Sequence, residues 1–189
     1  MTLSAVMVEF GGGYRCFADA FRAVEDAVKA SGLPWTILRS AEYDSNALAW
    51  APQIRATGVV RSAYGDAASS PIHNRDVAAV SAVALMNAAH AGHIYVLTGP
   101  QSLTQRDWVR LIGEAIGKAI PWVETAPQQV RESMLAQGVS ADVPDRLLGY
   151  LARLDERAGP TSTTVQQLRA RPALTFAQWA MEHASAFCN

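Results

Sequence analysis

Residues 25–39 read EDAVKASGLPWTILR and pass from a helical to a strand pattern within one short segment. Apolar side chains recur at helical spacing upstream of this segment and within its first part, which predicts an amphipathic helix over residues 17–30. Glu25 stands four residues before Lys29, and we place this pair on the polar side of the helix. The apolar side comprises Phe17, Ala20, Phe21, Val24, Ala27 and Val28.

A turn and a buried strand are predicted to follow the helix. Gly32 adopts at little cost the left-handed conformation that ends many helices, and Pro34 prevents helical continuation. Residues 35–38, Trp-Thr-Ile-Leu, are apolar or β-branched without polar alternation. This pattern is typical of a parallel strand that is covered on both faces.

The same order of helix and strand recurs in the middle of the chain. Asn74 can cap a helix, and residues 94–97 read as a second short strand. Thr104 with Asp107 resembles a capping box in front of another helix. Strands that alternate with helices indicate the α/β class.

The strand signal nearly vanishes in the last third of the chain, where Trp122 begins a short candidate edge strand. Three helices are predicted beyond it, with start signals at Thr125, Asp142 and Thr175. We therefore expect an α/β region over residues 1–123 and a helical C-terminal cap over residues 124–189.

Composition excludes several classes of protein. Of the 189 residues, 50% are hydrophobic and 17% charged, and the formal net charge is -1, which disfavours disorder and gives no basic surface for nucleic acid. The first residues lack a secretory signal and no apolar run reaches membrane-spanning length, so we expect a cytoplasmic protein without a membrane segment. His90 and His93 have no third ligand nearby, so no metal site is expected.

A glycine run at residues 11–13 follows a short apolar stretch and precedes the first predicted helix. Such a loop could bind phosphate through its backbone N–H groups. The dinucleotide fingerprint, however, requires a third glycine where this chain has Cys16. The alternative is a flexible turn.

Polar residues follow the predicted buried strand at residues 39–46, where open α/β sheets place their ligand crevice. Tyr43, Asn46 and Trp50 are candidates for lining a pocket, because two aromatic rings and an amide provide stacking surface and hydrogen bonds. The alternative is that residues 44–45 cap the next helix and that Trp50 packs beneath it.

His73 lies between an apolar residue and the predicted helix cap at Asn74. It either titrates near neutral pH in a site or holds its loop by hydrogen bonds. Asp76 follows in the first turn of that helix, where the helix dipole favours a carboxylate.

Four segments together have the order and spacing of a known family: residues 25–39, residues 72–80 (IHNRDVAAV), residues 95–100 (YVLTGP) and residues 175–180 (TFAQWA). With them the chain resembles the NmrA-like branch of the atypical short-chain dehydrogenase/reductases. The resemblance implies a Rossmann-like parallel sheet, NAD(P) as the cofactor, and NAD(P)H-dependent oxidoreductase activity on small organic substrates.

The resemblance also implies site residues. Cofactor contacts at the nicotinamide end of the cleft fall on Arg39, Ser40 and Tyr43, and substrate contacts fall on Asn46, Trp50 and His73. Ser40 stands where the family usually has proline.

Two features depart from the family pattern. The family's first strand and its G-x-x-G-x-x-G loop are missing, and residues 1–20 match poorly, so the sheet is expected to be truncated at its N-terminal side. The Tyr-x-x-x-Lys pair of typical short-chain dehydrogenases falls on Phe17 and Phe21. We therefore expect NAD(P)H to bind more weakly than about 1 mM.

Three functions remain open at this point: an NAD(P)H-dependent oxidoreductase, a non-catalytic NmrA-like module for redox sensing or regulation, and a truncated relative without cofactor binding. A truncated sheet should expose unpaired strand edges and the apolar faces of residues 35–38. We therefore expect the chain either to be marginally stable on its own or to form homo-oligomers through the exposed edge.

Overall fold

The computed structural model describes residues 1–10 and 15–188, so the glycine run at residues 11–13 lies outside the described residues. The strands are β1 (Thr2–Ala5), β2 (Thr36–Ser40), β3 (Val60–Ser62), β4 (Ala68–Ser69), β5 (His93–Leu97), β6 (Leu103–Thr104) and β7 (Trp122–Glu124). The helices are α1 (Met7–Phe10), α2 (Arg15–Ala30), α3 (Ala51–Thr57), α4 (Asn74–Met86), α5 (Gln105–Ile116), α6 (Pro127–Ala136), α7 (Asp142–Glu156), α8 (Thr164–Arg169) and α9 (Phe176–Glu182), with 3-10 helices at Asp44–Trp50, Ala88–His90 and Ala184–Phe187. Within the described ranges, no helix is both long and apolar enough to cross a bilayer.

A parallel sheet in the order β1-β2-β5 confirms the α/β class and the Rossmann-like arrangement. Leu3 of β1 pairs with Leu38 of β2. Ile37 and Leu38 are fully buried, and Leu38 packs in a cluster with Val80 of α4. The expectation that residues 35–38 expose apolar faces is therefore wrong, because β1 covers one edge of β2 and helices cover its side chains. Among the described residues, β1 has no strand partner on its outer side.

Helix α2 confirms the helix predicted over residues 17–30, but its packing face differs from the prediction. Glu25 is fully buried, whereas Val24 is 48% exposed. The carboxylate turns inward because Ser4 of β1 and Arg39 of β2 both donate hydrogen bonds to it. The placement of Glu25 on the polar side of the helix is therefore wrong.

Two predicted capping boxes are confirmed. The side chain of Thr104 accepts a hydrogen bond from the backbone of Asp107 at the start of α5, and Thr175 accepts one from Gln178 at the start of α9. In both boxes the N3 side chain binds back to the cap backbone. These helix starts can be predicted from the sequence because the capping box is a local motif.

Two other predicted helix starts need correction. His73, and not Asn74, caps α4, because its imidazole accepts a hydrogen bond from the backbone N–H of Arg75. Thr125 does not cap α6, which is preceded by Ala126 and has no side-chain cap. Proline at the first position of α6 lacks the N–H that a cap would otherwise satisfy.

The helical C-terminal part packs onto the α/β part through α5 and α9. Trp108 of α5 shares one core cluster with Phe176 and Trp179 of α9, and the ring centroids of Trp108 and Phe176 are 4.7 Å apart. Smaller sheets complete the architecture: β3 pairs with β7 in parallel, and β4 pairs with β6 antiparallel. Residues on both sides of position 123 therefore contribute to one core.

The Thr98-Gly99-Pro100 segment after β5 makes a close backbone approach. A Cβ atom on Gly99 would lie 1.9 Å from the carbonyl oxygen of Pro71. The backbone N–H of Gly99 donates to the carbonyl of Ser70 at 3.1 Å. Only glycine fits this contact, which holds the loop leading to His73 against the end of β5.

Candidate functional site

A cavity of about 500 Å³ lies beside the carboxyl ends of β1 and β2, where open α/β sheets bind their ligands. The loop after β2, helix α2 and helix α7 complete its walls. Its larger apolar lining residues are Leu3, Val6, Met7, Phe21, Val143 and Leu147. Its polar lining residues are Ser4, Ser40, Glu42, Tyr43, Asn46, Arg146 and Tyr150. This volume and this mixture of surfaces suit a small organic ligand.

Ser40, Tyr43 and Asn46 all line this cavity, so the structure brings these predicted site residues together. Ser40 is buried, and its Oγ has no hydrogen-bond partner. A buried hydroxyl without a partner costs about 1–3 kcal/mol. A polar ligand group that reaches Ser40 would remove this cost, and the contact of these residues with cofactor or substrate stays a prediction.

Arg39 does not line the cavity but forms a two-pronged ion pair with Glu25. Its Nε donates to Oε1 of Glu25 at 2.9 Å and its Nη2 to Oε2 at 2.7 Å, and Ser4 Oγ donates to Oε1 at 2.7 Å. The hydrogen bond from Arg39 lowers the pKa of Glu25 to about 2, against the effect of burial, with help from Ser4 and Lys29. Arg39 thus joins β2 to α2 through Glu25. The cofactor contact predicted for Arg39 would require its ion pair with Glu25 to break.

Trp50 also lies away from the cavity. Its ring meets Trp108 edge to face with centroids 6.1 Å apart, and Trp122 in the same way at 6.0 Å. It packs against the core cluster that contains Trp108. Trp50 therefore packs against the core, as the alternative interpretation predicted. The cap that this interpretation placed at residues 44–45 is not formed, because the 3-10 helix Asp44–Trp50 begins without a side-chain cap.

His73 is buried at the start of α4 and does not line the cavity. Its Nδ1 accepts a hydrogen bond from the backbone of Arg75 at 3.1 Å, and its Nε2 lies 3.4 Å from a carboxylate oxygen of Glu182 on α9. Burial lowers the pKa of His73 despite the opposing effect of Glu182. His73 therefore holds the start of α4 by a hydrogen bond, which is one of the two roles predicted for it from the sequence.

Three titratable cavity residues received no role of their own in the sequence analysis: Glu42, Arg146 and Tyr150. Ser69 of β4 donates a hydrogen bond from its Oγ to Oε2 of Glu42. Burial raises the pKa of Glu42 to about 7, although the bond from Ser69 opposes this shift. Burial, together with the charge of Glu42, raises the pKa of Tyr150 above its usual range. The position of Glu42 directly after a buried strand was a usable signal, whereas no local pattern marks Tyr150.

Two further buried carboxyl groups, those of Asp44 and Asp76, lie outside the cavity lining. Asp44 is fully buried, and neither of its carboxylate oxygens has a hydrogen-bond partner. Asp76 is also fully buried and accepts hydrogen bonds from Arg171 at 2.7 Å and from the backbone of Leu174 at 2.6 Å. Burial, and then the charge of Asp76, raises the pKa of Asp44 to about 8. Asp44 is therefore protonated at neutral pH, and Asp76 anchors the segment before α9 in addition to facing the helix dipole.

The histidines that were considered as a metal pair serve other contacts. Nδ1 of His90 lies 2.8 Å from the hydroxyl of Tyr95, and the ring of His93 stacks on Tyr95 with centroids 5.8 Å apart. In the part of the chain that the structure describes, no group of three or more His, Cys, Asp or Glu side chains could hold a metal ion.

Two curated proteins of similar sequence are reductases. Over 169 residues the chain is 38% identical to the (4-alkanoyl-5-oxo-2,5-dihydrofuran-3-yl)methyl phosphate reductase of Streptomyces griseus subsp. griseus, and the match covers 88% of this chain and 59% of that protein. Over 165 residues it is 33% identical to the NAD(P)H azoreductase of Xenophilus azovorans, with coverage of 86% and 57%. No protein-family model matches the chain.

A solved structure has the same fold. The crystal structure of an NADPH-dependent quinone oxidoreductase from Escherichia coli in complex with NADPH matches with a TM-score of 0.83 and 23% identity, covering 95% of this chain and 63% of that one. The chain thus spans less than two thirds of the length of each of these proteins. Its parallel sheet has the Rossmann-like fold of this solved structure, and its sequence is similar to the two reductases described above.

Proposed function

We propose that the cavity beside β1 and β2 is the active site of an NAD(P)H-dependent reductase of small organic molecules. The observation that carries this proposal is the lining of the cavity, in which apolar side chains accompany Ser40, Glu42 and Tyr150. The similarity to an NAD(P)H azoreductase and to a structure in complex with NADPH supports the choice of cofactor.

The described residues fit the nicotinamide end of such a cofactor. Met7 and Phe21 offer apolar surface for a flat ring, and Ser40 offers a buried hydroxyl without a partner for a carboxamide. When bound, the reduced dinucleotide supplies a hydride. Arg146 is the cationic side chain among the described lining residues, whereas diphosphates usually bind to several backbone N–H groups at a helix start. We therefore expect weak binding of the whole dinucleotide.

The substrate class that best fits is a flat, electron-poor compound such as a quinone, an azo compound or an unsaturated lactone. The names of the similar reductases include an azo compound and a dihydrofuranone phosphate. Leu147 and Val143 of α7 provide apolar surface for such a molecule, and Arg146 of the same helix can face an anionic substituent. A nicotinamide-dependent reaction of this kind belongs in the cytoplasm, and we propose no nucleic-acid partner because the net charge is -1.

A second candidate function is a binding module that senses the nicotinamide cofactor without turning it over. Phe21 favours it, because this apolar ring lines the cavity at the position that the family resemblance assigns to the lysine of typical short-chain dehydrogenases. Phenylalanine can neither bind a ribose hydroxyl by hydrogen bonds nor transfer a proton. Under this alternative, the cavity binds cofactor and the helical cap contacts a protein partner.

Binding and turnover measured on the same purified chain test these functions. NADPH is titrated by calorimetry to about 10 mM, because its dissociation constant is expected to exceed about 1 mM, and its oxidation is then followed with a soluble quinone and with an azo dye. Oxidation that depends on the acceptor supports the reductase, and saturable binding without oxidation supports the sensor. Absence of both overturns both functions.

A matched pair of variants links the activity to the cavity. Leu147→Trp adds bulk to the cavity wall, whereas Leu85→Trp adds the same bulk to an exposed position on α4. We expect the first change to weaken binding and slow turnover at least tenfold, which is about 1.4 kcal/mol, and the second to leave both unchanged. Equal effects of the two variants would place the activity elsewhere.

A further inference from the structure

Glu42 presents a carboxyl group to the cavity from the loop that follows β2. One oxygen, Oε2, accepts the hydrogen bond from Ser69 of β4. The other oxygen, Oε1, has no hydrogen-bond donor among the described residues. Tyr150 of α7 lines the same cavity. The carboxyl group is thus held from one side, which leaves its second oxygen available to a ligand.

Burial brings the Glu42 carboxyl group close to half protonation at neutral pH. Tyr150 and Arg146 face the cavity from α7, and Tyr43 is the next residue in the loop. Burial raises the pKa of Glu42 to about 7, and burial together with the charge of Glu42 keeps the Tyr150 phenol protonated far above neutral pH. A general acid works best when its pKa lies near the pH at which the protein operates.

Other lining groups are poorer proton donors. Ser4 already donates its hydroxyl hydrogen to Glu25 at 2.7 Å. Ser40 has an ordinary alcohol hydroxyl, and Phe21 has no proton to give. Among the described lining residues, Glu42 is the only carboxyl group. Glu42 is therefore the carboxyl group among the described lining residues that can transfer a proton near neutral pH, and it is not a member of the Tyr-x-x-x-Lys pair.

We propose that Glu42 is the catalytic acid of this cavity, with Ser69 as the residue that positions it and Tyr150 as a neutral hydrogen-bond donor beside it. This proposal rests on the reductase function proposed above. Glu42 would give the substrate a proton, while a bound reduced nicotinamide would supply the hydride. The O–H bond at Oε1 of Glu42 breaks, and a new O–H, N–H or C–H bond forms on the substrate atom that gains negative charge. The resulting carboxylate regains its proton from water.

The first test observes the proton itself, without any turnover. The chain is labelled with ¹³C in the glutamate carboxyl groups and titrated by NMR. We expect one resonance to titrate near pH 7 and to be missing in Glu42→Gln, while Glu124→Gln, an exposed control, retains it. If every glutamate titrates below about pH 5, as free side chains do, the proposal is overturned.

The second test uses turnover with a quinone acceptor under saturating NADPH. We expect the rate of the wild-type chain to fall above about pH 7, and Glu42→Gln to lose at least about 100-fold in kcat and to lack this pH dependence. Ser69→Ala removes a hydrogen bond that lowers the pKa of Glu42, so the fall in rate should move to higher pH. A purely structural role of Ser69 would not move the pH profile.

The outcomes separate this proposal from the function on which it rests. An active wild-type chain whose Glu42→Gln variant keeps its rate and pH profile overturns the role of Glu42 and leaves the reductase intact. If the wild-type chain fails to oxidise NADPH with every acceptor tested, both the reductase function and the role of Glu42 are overturned. This holds even if the NMR titration shows a protonated Glu42.

Discussion

At the scale of single residues, Glu25 and Asp44 show opposite ways of burying a carboxyl group. Glu25 is held ionised by Arg39, Ser4 and Lys29, with Lys29 Nζ 3.5 Å from Oε2. Asp44 has no such donors and stays protonated. The first arrangement stabilises the charge by hydrogen bonds, and the second avoids the charge altogether.

Replacement of Glu25 tests the first arrangement. Glu25→Ala removes the buried carboxylate that Nη2 of Arg39, whose side chain is 13% exposed, contacts at 2.7 Å. We expect a loss of about 3–5 kcal/mol in the free energy of unfolding at neutral pH, measured with urea. Asp26→Ala is the control, because Asp26 is 65% exposed and contacts the same Lys29 at 3.6 Å; it should cost less than about 1 kcal/mol. Equal losses would contradict the role given to the buried pair.

The pH dependence of this pair has a definite sign. The pKa of Glu25 falls from 4.5 to about 2 on folding, so its contribution to stability is complete above about pH 4.5 and disappears as the pH falls toward about 2. The wild-type chain should therefore lose its stability advantage over Glu25→Ala in this acidic window. A constant difference between the two chains across the window would contradict the assigned pKa.

Asp44 should show the reverse dependence. Its pKa rises from 3.8 to about 8 on folding, so ionisation favours the unfolded state as the pH rises between these values. Asp44→Asn cannot ionise and should match the wild-type stability at about pH 4 and exceed it by about 2–4 kcal/mol at about pH 9. Guanidinium unfolding at both pH values measures this, with the same change at Asp66, 78% exposed, as control. A difference that does not grow with pH would sink the prediction.

At the scale of elements, capping separates the helices that local sequence specifies from those that tertiary packing specifies. Helices α5 and α9 begin with complete capping boxes, whereas α6 begins with proline and no side-chain cap. Helix α4 begins with His73, a residue type that sequence preferences do not rank among the usual caps. The loop before His73 packs closely on Gly99 through the carbonyl oxygen of Pro71.

Alanine substitutions at the three threonines test these assignments. Thr104→Ala and Thr175→Ala each remove a cap and should lower the free energy of unfolding by about 1 kcal/mol. Thr125→Ala is the matched control, because α6 starts after Ala126 without a side-chain cap. Thermal unfolding followed by circular dichroism measures all three. A loss at Thr125 equal to the other two would show that the threonines act in some way other than capping.

At the scale of the whole molecule, the outer edge of β1 has no strand paired to it among the described residues. Among the described residues, the sheet ends at β1 on this side, and Leu3 in that strand is 45% exposed. Unpaired backbone N–H and C=O groups at an edge favour pairing with another chain. The homo-oligomer proposed for this protein would therefore form at β1, and not through the buried faces of β2.

Self-association at this edge can be measured by light scattering over a range of protein concentrations. The wild-type mass should rise with concentration, and Leu3→Lys should hold the chain as a monomer, because a lysine on an edge strand opposes pairing. Leu85→Lys introduces the same charge at a position on α4 that is 65% exposed, and it should behave as wild type. A monomeric wild-type chain at every concentration would overturn the proposed edge contact.

The sequence by itself determined the elements whose information is local. The helix over residues 17–30, the strand that follows it and the capping boxes at Thr104 and Thr175 were predictable, because periodicity and capping act over a few residues. The clustering of Ser40, Tyr43 and Asn46 beside one cavity also followed from their position after a parallel strand.

Only the tertiary structure decided which polar residues are buried and with whom. It turned Glu25 inward to Arg39, packed Trp50 against the core, and joined Glu42 to Ser69. It also placed Glu42 and Tyr150 on the lining of one cavity. The environment of a carboxyl group depends on contacts between elements that are remote in sequence, and such contacts leave no periodic pattern. A surface carboxylate, a buried ion pair and a protonated acid can therefore look alike until the chain is folded.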